Sequence, residues 1–387
     1  MSETQKHTKP NVPNLRFPGF SGDWAECSLG DISRITKGAG ISKEQRSSEG
    51  NPCILYGELY TTYSTEIINE VVSKTQLPAS GLVKSEANDI IIPASGETAI
   101  DISTARCVTK SGVFLGGDLN IIRLKGQDGR FFSYQLNGVR KKDIAKVAQG
   151  VSIVHLHGSD LAQIKVYYPS LPEQERISSL LSLIDQRISI QSRVIERYES
   201  LIRALYHETL GNARGTIITL GDLVQIKKGT QLNGENLLSI GKYYVMNGGI
   251  TPSGFYESYN TPGEIISISE GGNSCGYVQY NPLPFWSGGH CYTLLPQPKY
   301  RDVAKYRYLY HYLKFHQEDI MALRIGSGLP NIQKKDLERF QVILPEIQIQ
   351  ERYTVLFDAV DSVISIKKAL LNKLRESKKY LISQMFI

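Results

Sequence analysis

The residues that could do chemistry do not assemble into a complete enzyme motif. The sequence contains no GxxxxGK[ST] loop for nucleotide hydrolysis, and no GxGxxG follows a predicted strand. The run GGNSCG at 271–276 lacks the lysine and the helix of a phosphate-binding loop, so it predicts a flexible connection between strands. NPLPF at 281–285 is similar to the Asn-Pro-Pro-aromatic motif of amino-methyltransferases, but the intervening leucine favours a turn before a strand.

Histidine and cysteine spacings predict no metal site. His155 and His157 would lie on the same side of a strand, but a third ligand at a convincing spacing is missing, and His290 beside Cys291 offers no more. No Ser–His–Asp or Cys–His arrangement and no nuclease-like acidic cluster can be singled out. We therefore expect a non-catalytic protein that binds neither a metal nor a cofactor itself.

Composition predicts a cytoplasmic protein of more than one domain. The chain has 387 residues, five scattered cysteines without a CxxC pair, and a polar N-terminal segment, which fits a reducing compartment. No run of 18 apolar residues occurs, so no membrane span is expected. The net charge of +6 is spread thinly along the chain, and it permits nucleic-acid binding without proving it.

The chain repeats itself. Residues 130–190 align with 306–366 at a constant offset of 176, with 16 identities in 61 positions. A second anchor pairs LGDISRITKG at 29–38 with LGDLVQIKKG at 220–229, at an offset of 191, so the first copy carries about 15 extra residues between its anchors. Two repeated frames around dissimilar interiors favour a protein that reads two different targets over a duplication that diverged without purpose.

Each copy ends in a long helix with a heptad seam. The seam positions, counting Gln191, Tyr198, Lys367 and Lys378 among them, alternate in steps of four and three residues, an average period of 3.5 that is typical of a coiled coil. The seam residues are Ile177, Leu181, Ile184, Ile188, Ile195 and Ile202 in the first helix, and Phe357, Val360, Ile364, Leu371, Leu374 and Leu381 in the second. At a rise of 1.5 Å per residue, a helix of about 38 residues measures roughly 57 Å. We expect the two helices to pair antiparallel; the alternative is two independent helices that pack on their own domains or on other proteins.

The globular parts are predicted to be α+β. Asp89–Ile92 and Glu264–Ser267 are expected to form matching strands, as are Leu119–Leu124 and Cys291–Leu295, and aromatic, basic helices follow from Arg130 and Lys305. The tyrosines of these helices are expected to pack in the core. The predicted division is a first mixed α/β domain at 1–172, a central spacer helix at 173–214, a second such domain at 215–345 and a C-terminal spacer helix at 346–387.

The repeated frame resembles the DNA-specificity subunits of type I restriction–modification enzymes. The resemblance covers nearly the whole chain, from about Asn14 to Ile387, and the second copy departs slightly, with Phe340 and Ile349 where the first has Ile164 and Glu173. The residues that carry it in the first copy are Leu29-Gly30-Asp31, Asp160-Leu161, Ile164, Val166, Pro169, Leu171, Glu173-Gln174 and Ile177, together with both heptad helices.

The resemblance implies a role and partners. Each variable interior would be a target-recognition domain, the domains would form a pseudo-twofold repeat, and the antiparallel helices would space them along double-stranded DNA. Two methyltransferase subunits would bind S-adenosylmethionine and modify adenine, and restriction and translocase subunits would hydrolyse ATP with Mg²⁺. The target would be two short sequence blocks around an unread spacer, because two domains on a rigid rod can meet major grooves about 34 Å apart.

The DNA-contacting residues are expected in loops rich in polar and basic side chains. In the first domain the candidates are Lys37, Lys43, Tyr60, Thr61, Thr62, Ser95, Arg106, Gln149, Ser152 and His155. In the second they are Lys227, Lys228, Gln231, Asn233, Ser269, Asn273, Tyr277, Arg324, Ser327 and Asn331.

Two other functions remain open from the residues alone. One is a two-headed coiled-coil scaffold that binds proteins and has no DNA specificity. The other is a fragment of a fused restriction–modification enzyme with an activity that its motifs do not reveal.

Overall fold

The chain forms two compact units. A computed structural model describes residues 11–150, 152–326 and 328–387. The first unit extends to Ser192 and includes Ala369–Ile387, and the second comprises Arg193–Lys368. None of the helices in the described ranges combines the length and the apolar composition that a membrane span requires.

The first unit contains thirteen described strands and five short helices. The strands are β1 (Ala25–Ser28), β2 (Ser33–Lys37), β3 (Asn51–Ile54), β4 (Ile67–Ile68), β5 (Ser73–Thr75), β6 (Val83–Lys84), β7 (Asp89–Pro93), β8 (Ser95–Gly96), β9 (Arg106–Val108), β10 (Phe114–Leu115), β11 (Leu119–Leu124), β12 (Val154–His155) and β13 (Lys165–Tyr168). The helices are α1 (Glu58–Thr61), α2 (Ala99–Ile102), α3 (Gly129–Asn137), α4 (Lys141–Val147) and α5 (Gly158–Ala162). A long helix, α6 (Leu171–Thr209), then contributes residues to both units.

The second unit repeats this order with fewer elements. Its strands are β14 (Thr216–Thr219), β15 (Val224–Lys228), β16 (Tyr243–Met246), β17 (Gly254–Tyr256), β18 (Ile265–Ser269), β19 (Val278–Asn281), β20 (Trp286–Ser287), β21 (Cys291–Pro296) and β22 (Gln341–Leu344). Its helices are α7 (Leu220–Leu223), α8 (Tyr306–Phe315), α9 (Gln317–Ala322) and α10 (Lys334–Glu338). The second long helix, α11 (Ile347–Met385), also contributes residues to both units.

The main sheets of the two units share one topology. The first unit has the order β2-β11-β7-β9-β4 and the second has β15-β21-β18-β19. In both sheets the strand of the LGD…KG frame, β2 or β15, pairs antiparallel with a strand that follows a Gly-Gly pair. These pairs are Gly116-Gly117 before β11 and Gly288-Gly289 before β21. A smaller sheet in each unit contains one parallel pair, β3 with β10 and β16 with β20. The predicted α+β class with two mixed domains is confirmed.

The strands and helices predicted within the units are confirmed with small shifts. Leu119–Leu124 is a strand as predicted, and Cys291–Leu295 extends by one residue to Pro296. The helix predicted from Arg130 starts at Gly129 and breaks at Gly138, so that it becomes α3 and α4. GGNSCG connects β18 to β19, as its missing lysine and helix had indicated.

Glycine at the end of the repeated LGD…KG frame is required by a close backbone approach. A Cβ atom at Gly38 would lie 2.1 Å from the carbonyl oxygen of Gly116, and one at Gly229 would lie 2.3 Å from that of Gly288. Real Cβ contacts do not come this close, so any larger residue must displace the backbone. The frame glycine and the Gly-Gly pair are therefore two sides of one contact in each unit.

A buried glutamine explains a second part of the frame. The Gln174 side chain donates to the Pro169 carbonyl (2.8 Å) and accepts from the Asp128 backbone N–H (3.1 Å). In the second unit Gln350 donates to the Pro345 carbonyl (2.8 Å) and accepts from the Lys305 N–H (2.9 Å). Each glutamine thus joins the start of a long helix to the start of an aromatic helix, because a buried amide needs partners for both its polar atoms.

Within each unit the two long helices run antiparallel. In the first unit Lys378 contacts Asp185, and Met385, further along α11, belongs to the same core cluster as Ile177, which lies earlier on α6. In the second unit the Lys368 ammonium lies 2.7 Å from a Glu199 carboxylate oxygen. In the same unit the Phe357 ring lies 4.8 Å from that of Tyr206. The contacts therefore move towards the start of α11 as they move towards the end of α6, as in an antiparallel pair.

The end of each long helix completes a core. In the first unit Phe386 packs 5.0 Å from Phe131, which in turn lies 5.6 Å from Trp24, measured between ring centroids. In the second unit Tyr206 and Leu210 belong to the core that includes Phe357. All twelve predicted seam residues are buried or half-buried. The helices begin at Leu171 and Ile347, near the predicted starts of the spacer segments.

Candidate functional site

One end of the main sheet gathers polar residues in the first unit. Lys37 ends β2, and Asn120 lies opposite it on β11. Asp118 precedes β11, and its carbonyl accepts a 2.7 Å hydrogen bond from the N–H of Ala94, which follows β7. Since antiparallel neighbours alternate in direction, these strand ends and strand starts meet at the same end of the sheet. We call this group, with residues 149–155, the polar end of the first unit.

The second unit has the same arrangement. Lys228 ends β15, Glu270 follows β18, and His290 precedes β21. The backbone N–H of Glu270 donates to the His290 carbonyl over 2.9 Å, as Ala94 does to Asp118. We call this group, with residues 325–331, the polar end of the second unit.

A short hairpin loop projects beside each polar end. Gln149 and His155 exchange backbone hydrogen bonds of 2.9 and 2.7 Å, and Ile325 and Asn331 exchange bonds of 2.8 and 3.0 Å. Each loop turns at a glycine with positive φ, Gly150 in one unit and its counterpart in the other.

The loops are joined to the sheets in the same way. The Leu156 N–H donates to the Ala94 carbonyl and the Ile332 N–H donates to the Glu270 carbonyl, both over 2.9 Å. The hairpins at 149–155 and 325–331, which contain several of the predicted candidates, are therefore equivalent segments of the two units.

The second polar end contains a charged cluster with an unusual burial pattern. A carboxylate oxygen of Glu270 lies 2.5 Å from the Lys228 ammonium, and the other lies 3.1 Å from Nδ1 of His290. The Glu270 side chain is only 11% exposed, whereas Lys228 and His290 are 51% and 60% exposed. A buried carboxylate thus fixes two donors whose remaining surfaces face outward.

A groove of about 730 Å³ lies close to the first polar end. Its polar lining includes Lys43, Arg46, Thr61 and Thr62, together with the acidic residues Glu44, Glu58 and Asp118. The structure therefore brings three of the predicted candidates together, Lys43 from one loop and the two threonines from the end of α1 and the residue after it. Tyr60, on the same helix, is half-buried.

Most predicted DNA candidates lie on the surface. The exposed ones are Lys37, Lys43, Thr61, Thr62, Gln149, Ser152, His155, Lys227, Lys228, Gln231, Asn233, Asn273 and Arg324. Tyr60, Tyr277 and Asn331 are half-buried, and Ser327 lies outside the described residues. Tyr277 lies under the Lys314 ammonium, 3.9 Å from the ring centroid.

Three candidates are buried, and Arg106 has another role. Its guanidinium donates to the backbone carbonyls of Leu59 (2.9 Å), Tyr63 (2.6 Å) and Thr65 (2.7 Å). Burial lowers its pKa, and its side chain holds the segment after α1 in place rather than reaching the surface. The expectation of a DNA contact at Arg106 is therefore corrected, because its donors already satisfy buried carbonyls.

The two buried serines also serve the fold. Ser269 donates a hydrogen bond to the Gly248 carbonyl. The neighbouring Ser274, which is not a candidate, donates to the same carbonyl over 2.5 Å, so Ser269 and Ser274 together fix the loop after β18. Ser95 lies in β8, opposite His155. Neither Ser95 nor Ser269 presents an exposed hydroxyl for recognition.

Sequence reasoning missed Asp118, Glu270 and His290 as members of the polar ends. Glu270 carries no local sequence signal, because the two side chains that it contacts, Lys228 and His290, lie far from it in the sequence. The signal that could have found Asp118 and His290 is positional, since each directly follows a Gly-Gly pair and directly precedes a matching strand.

The histidine pair does not form a common site. His155 ends β12, while His157 precedes α5 as its N-terminal flanking residue. Within the described ranges, no group of three or more His, Cys, Asp and Glu side chains is arranged to hold a metal ion.

Comparison with known proteins agrees with this duplicated architecture. The profile of the type I restriction modification DNA specificity domain matches residues 21–199 and again 216–376. A Mycoplasma genitalium protein assigned as a type I specificity subunit is 25% identical over 284 residues, which cover 69% of this chain and 73% of that protein. A Mycoplasma pneumoniae protein with the same assignment is 23% identical over 94% of this chain and 98% of its own length.

A solved structure shows the same fold. The S subunit of a type I restriction-modification system from M. genitalium superposes with a TM-score of 0.73, at 22% identity, over 97% of this chain and 99% of that one. The two profile matches together cover more than half of the sequence, and each contains one polar end. The chain belongs to the type I restriction modification DNA specificity family.

Proposed function

We propose that the protein recognises a bipartite DNA sequence and directs partner subunits to it. Each unit reads one short block of bases with its polar end and the neighbouring loops, and the bases between the blocks are not read. The single observation that carries this proposal is the repetition of the polar end on an identical backbone frame with different side chains. Equivalent positions hold Ala94 and Asp118 in one unit and Glu270 and His290 in the other.

The exposed side chains of the polar ends suit DNA. Lysine donates to phosphates and to guanine O6 and N7, asparagine and glutamine pair with adenine, and carboxylates accept from cytosine N4. Lys37, Gln149 and Asp118 in the first unit, and Lys228 and Arg324 in the second, supply such groups on exposed surface. The low net charge of +6 fits a protein that shares phosphate binding with its partners.

The long helices support a spacing role. Their length of 39 residues each corresponds to about 58 Å of helix, longer than one turn of DNA at about 34 Å. An antiparallel pair with a buried seam is stiff, because each seam residue packs between residues of the facing helix.

The partners and cofactors follow from the same proposal. Two methyltransferase subunits bind S-adenosylmethionine and modify adenine, and restriction and translocase subunits use ATP and Mg²⁺. The protein contributes recognition, binds none of these cofactors and works in the cytoplasm. Two copies of the methyltransferase fit a chain whose frame occurs twice.

Sequencing of methylated DNA tests the proposal. The chain is co-expressed with the methyltransferase subunit of its own system in cells that lack adenine methylation, and methylated adenines are mapped by single-molecule sequencing. We expect one motif with two defined blocks and a gap of fixed length. Each subunit expressed without the other is the control and should leave the genome unmethylated.

A protein-binding scaffold predicts a different result. A co-purifying methyltransferase that modifies the same adenines with and without this chain would contradict the proposed role. A continuous motif without a gap would contradict the two-block reading.

A further inference from the structure

The second polar end contains a carboxylate that the fold does not need. Glu270 occupies the position that Ala94 holds in the first unit, and both residues make the same two backbone hydrogen bonds. The N–H of each donates to the residue that precedes the neighbouring strand of the sheet, His290 or Asp118, and the carbonyl of each accepts from the residue that follows the hairpin loop. The frame therefore forms with alanine at this position. Burial of a carboxylate on a side chain that is only 11% exposed costs free energy unless partners compensate, so its presence calls for another explanation.

What Glu270 does is hold Lys228 and His290. The lysine ammonium lies 2.5 Å from one carboxylate oxygen and the imidazole Nδ1 lies 3.1 Å from the other. An ammonium has three donors, so Lys228 retains two after this contact, and about half of its side chain is exposed. A lysine held in one position loses less conformational freedom when it binds than a lysine that moves freely.

The surroundings of the cluster are those of a recognition surface. Arg324 directly precedes the adjacent hairpin, and Asn331 is its last residue. Leu329 within this hairpin is 85% exposed. The loop with Asn273 follows Glu270 directly. At the opposite end of the same sheet, beyond Pro296, Lys299 lies over the ring of Tyr300 at 4.7 Å from its centroid.

We infer that Lys228 is a specificity-determining residue of the second unit, and that it recognises guanine through O6 and N7 in the major groove. Glu270 is its positioning residue, and His290 is the second group that Glu270 fixes. The inference rests on the proposed function and adds the residue and the base. Lysine is one of the two side chains suited to these adjacent guanine acceptors, whereas adenine presents an amino donor beside N7 that would repel it.

The first unit should read its block differently at this position. Lys37 is the equivalent lysine, but Ala94 offers it no carboxylate, and Asp118 replaces His290 with an exposed acceptor. The same frame therefore presents a fixed donor in one unit and a lysine beside an acceptor in the other.

The experiment maps methylated adenines for complexes that carry Lys228→Ala, Glu270→Gln or Lys228→Arg in the full-length chain with its methyltransferase. We expect Lys228→Ala to reduce discrimination at a single guanine of one block by about tenfold or more, and to leave the other block unchanged. Glu270→Gln should relax the same guanine to a smaller extent, because the amide keeps the shape but holds the ammonium less firmly. Lys228→Arg should keep the preference for guanine.

The matched control is Lys299→Ala, an exposed lysine at the opposite end of the same sheet. It should leave the motif and the methylation level unchanged. If Lys228→Ala prevents assembly, Lys228→Gln takes its place, since its longer side chain preserves packing.

Three results would overturn the inference. They are an unchanged motif in Lys228→Ala, a uniform loss of methylation with every base preference intact, as a phosphate contact would give, and relaxation at a base other than guanine. Each leaves the wild-type two-block motif in place, so the proposed function would stand. A wild-type complex without such a motif would instead contradict the proposed function itself.

Discussion

Lys378 and Asp185 join the two long helices inside the first unit. The lysine Nζ lies 2.6 Å from Oδ1 of the aspartate, and the Tyr134 hydroxyl donates to Oδ2 over 2.7 Å. Lys378 also forms an ion pair with Glu66. One buried cluster therefore connects α6, α11, the aromatic helix α3 and the loop before β4.

This cluster predicts a pH-dependent stability. Burial, followed by the nearby charge of Glu66, raises the pKa of Asp185 from 3.8 to about 6. Between these values the folded chain holds a proton that the unfolded chain has released, so this group's contribution to stability is present at low pH and is lost as the pH rises through about 6. Asp185→Asn should remove this term, of about 1–3 kcal/mol.

Thermal unfolding measured from pH 4.5 to 7.5 tests this. The difference in Tm, wild type minus Asp185→Asn, should decrease as the pH rises through 6, whereas ionisable groups outside the cluster cancel. Leu183→Ala, at an exposed α6 residue without an ionisable group, is the control and should show a constant difference. A wild-type advantage that grows with pH would contradict the raised pKa.

Arg106 should act on stability rather than on DNA recognition. Arg106→Met keeps the apolar part of the side chain and leaves the carbonyls of Leu59, Tyr63 and Thr65 without their donor. Stranded buried acceptors cost about 1–3 kcal/mol, so a lower Tm is expected. Arg34→Met, on the exposed side of the same sheet, should leave Tm nearly unchanged. Unchanged stability with a changed methylation motif would restore the original DNA assignment of Arg106.

The contrast between Arg106 and the seam shows what a single sequence can reveal. Periodicity locates buried positions along a helix, which is why Leu181 and Phe357 could be assigned to the seam. Repetition also located the frame, since Gly38 and Gly229 recur because a close backbone contact recurs. An arginine in a loop has no period, so whether its guanidinium meets carbonyls or solvent depends on long-range folding.

Glu270 illustrates the same limit from the opposite side. Its carboxylate belongs to the second polar end through partners 42 positions earlier and 20 positions later in the chain, and no local pattern signals either contact. The order of the strands in the sheet brings the three residues together, whereas the sequence predicted only the α+β fold class and no strand order.

The seam should be sensitive at buried positions and tolerant at exposed ones. Leu181→Asp places a charge at a site with 0% exposure. We expect the free energy of unfolding to fall by about 2–5 kcal/mol and assembly with the methyltransferase to be impaired. Leu183→Asp, two residues later at 60% exposure, should change stability by about 0.5 kcal/mol or less. Circular dichroism melts of both variants decide; equal stability would contradict a packed seam.

Exchange of one interior should change one block only. Replacing the segment from Gly38 to Arg130 with that of a relative retains β2, the hairpin at 149–155 and the whole second unit. The methylation motif should then acquire a new sequence in one block, which also identifies the block read by the first unit. Exchange of a segment with its own sequence, through the same cloning junctions, is the control. A change in both blocks at once would refute independent reading.

The last prediction concerns the gap between the blocks. The division between the two units falls after Ser192 on α6 and after Lys368 on α11. Inserting four residues at both places lengthens both helices by about 6 Å, so that the gap should grow by up to about two base pairs. Insertion at both sites keeps the facing residues within each unit opposite one another, whereas insertion in α6 alone would shift them.

A seven-residue insertion at both places supplies the comparison that a four-residue change lacks. Seven residues preserve the heptad register and add about 10.5 Å, equivalent to up to about three base pairs, whereas four residues introduce a stutter that locally unwinds the coiled coil. Methylated-adenine mapping should show both blocks unchanged in sequence and the gap longer in each variant, with the heptad variant the more active. An active complex whose blocks keep their original separation would mean that the helices do not set the distance, and that the two units find their blocks by another route.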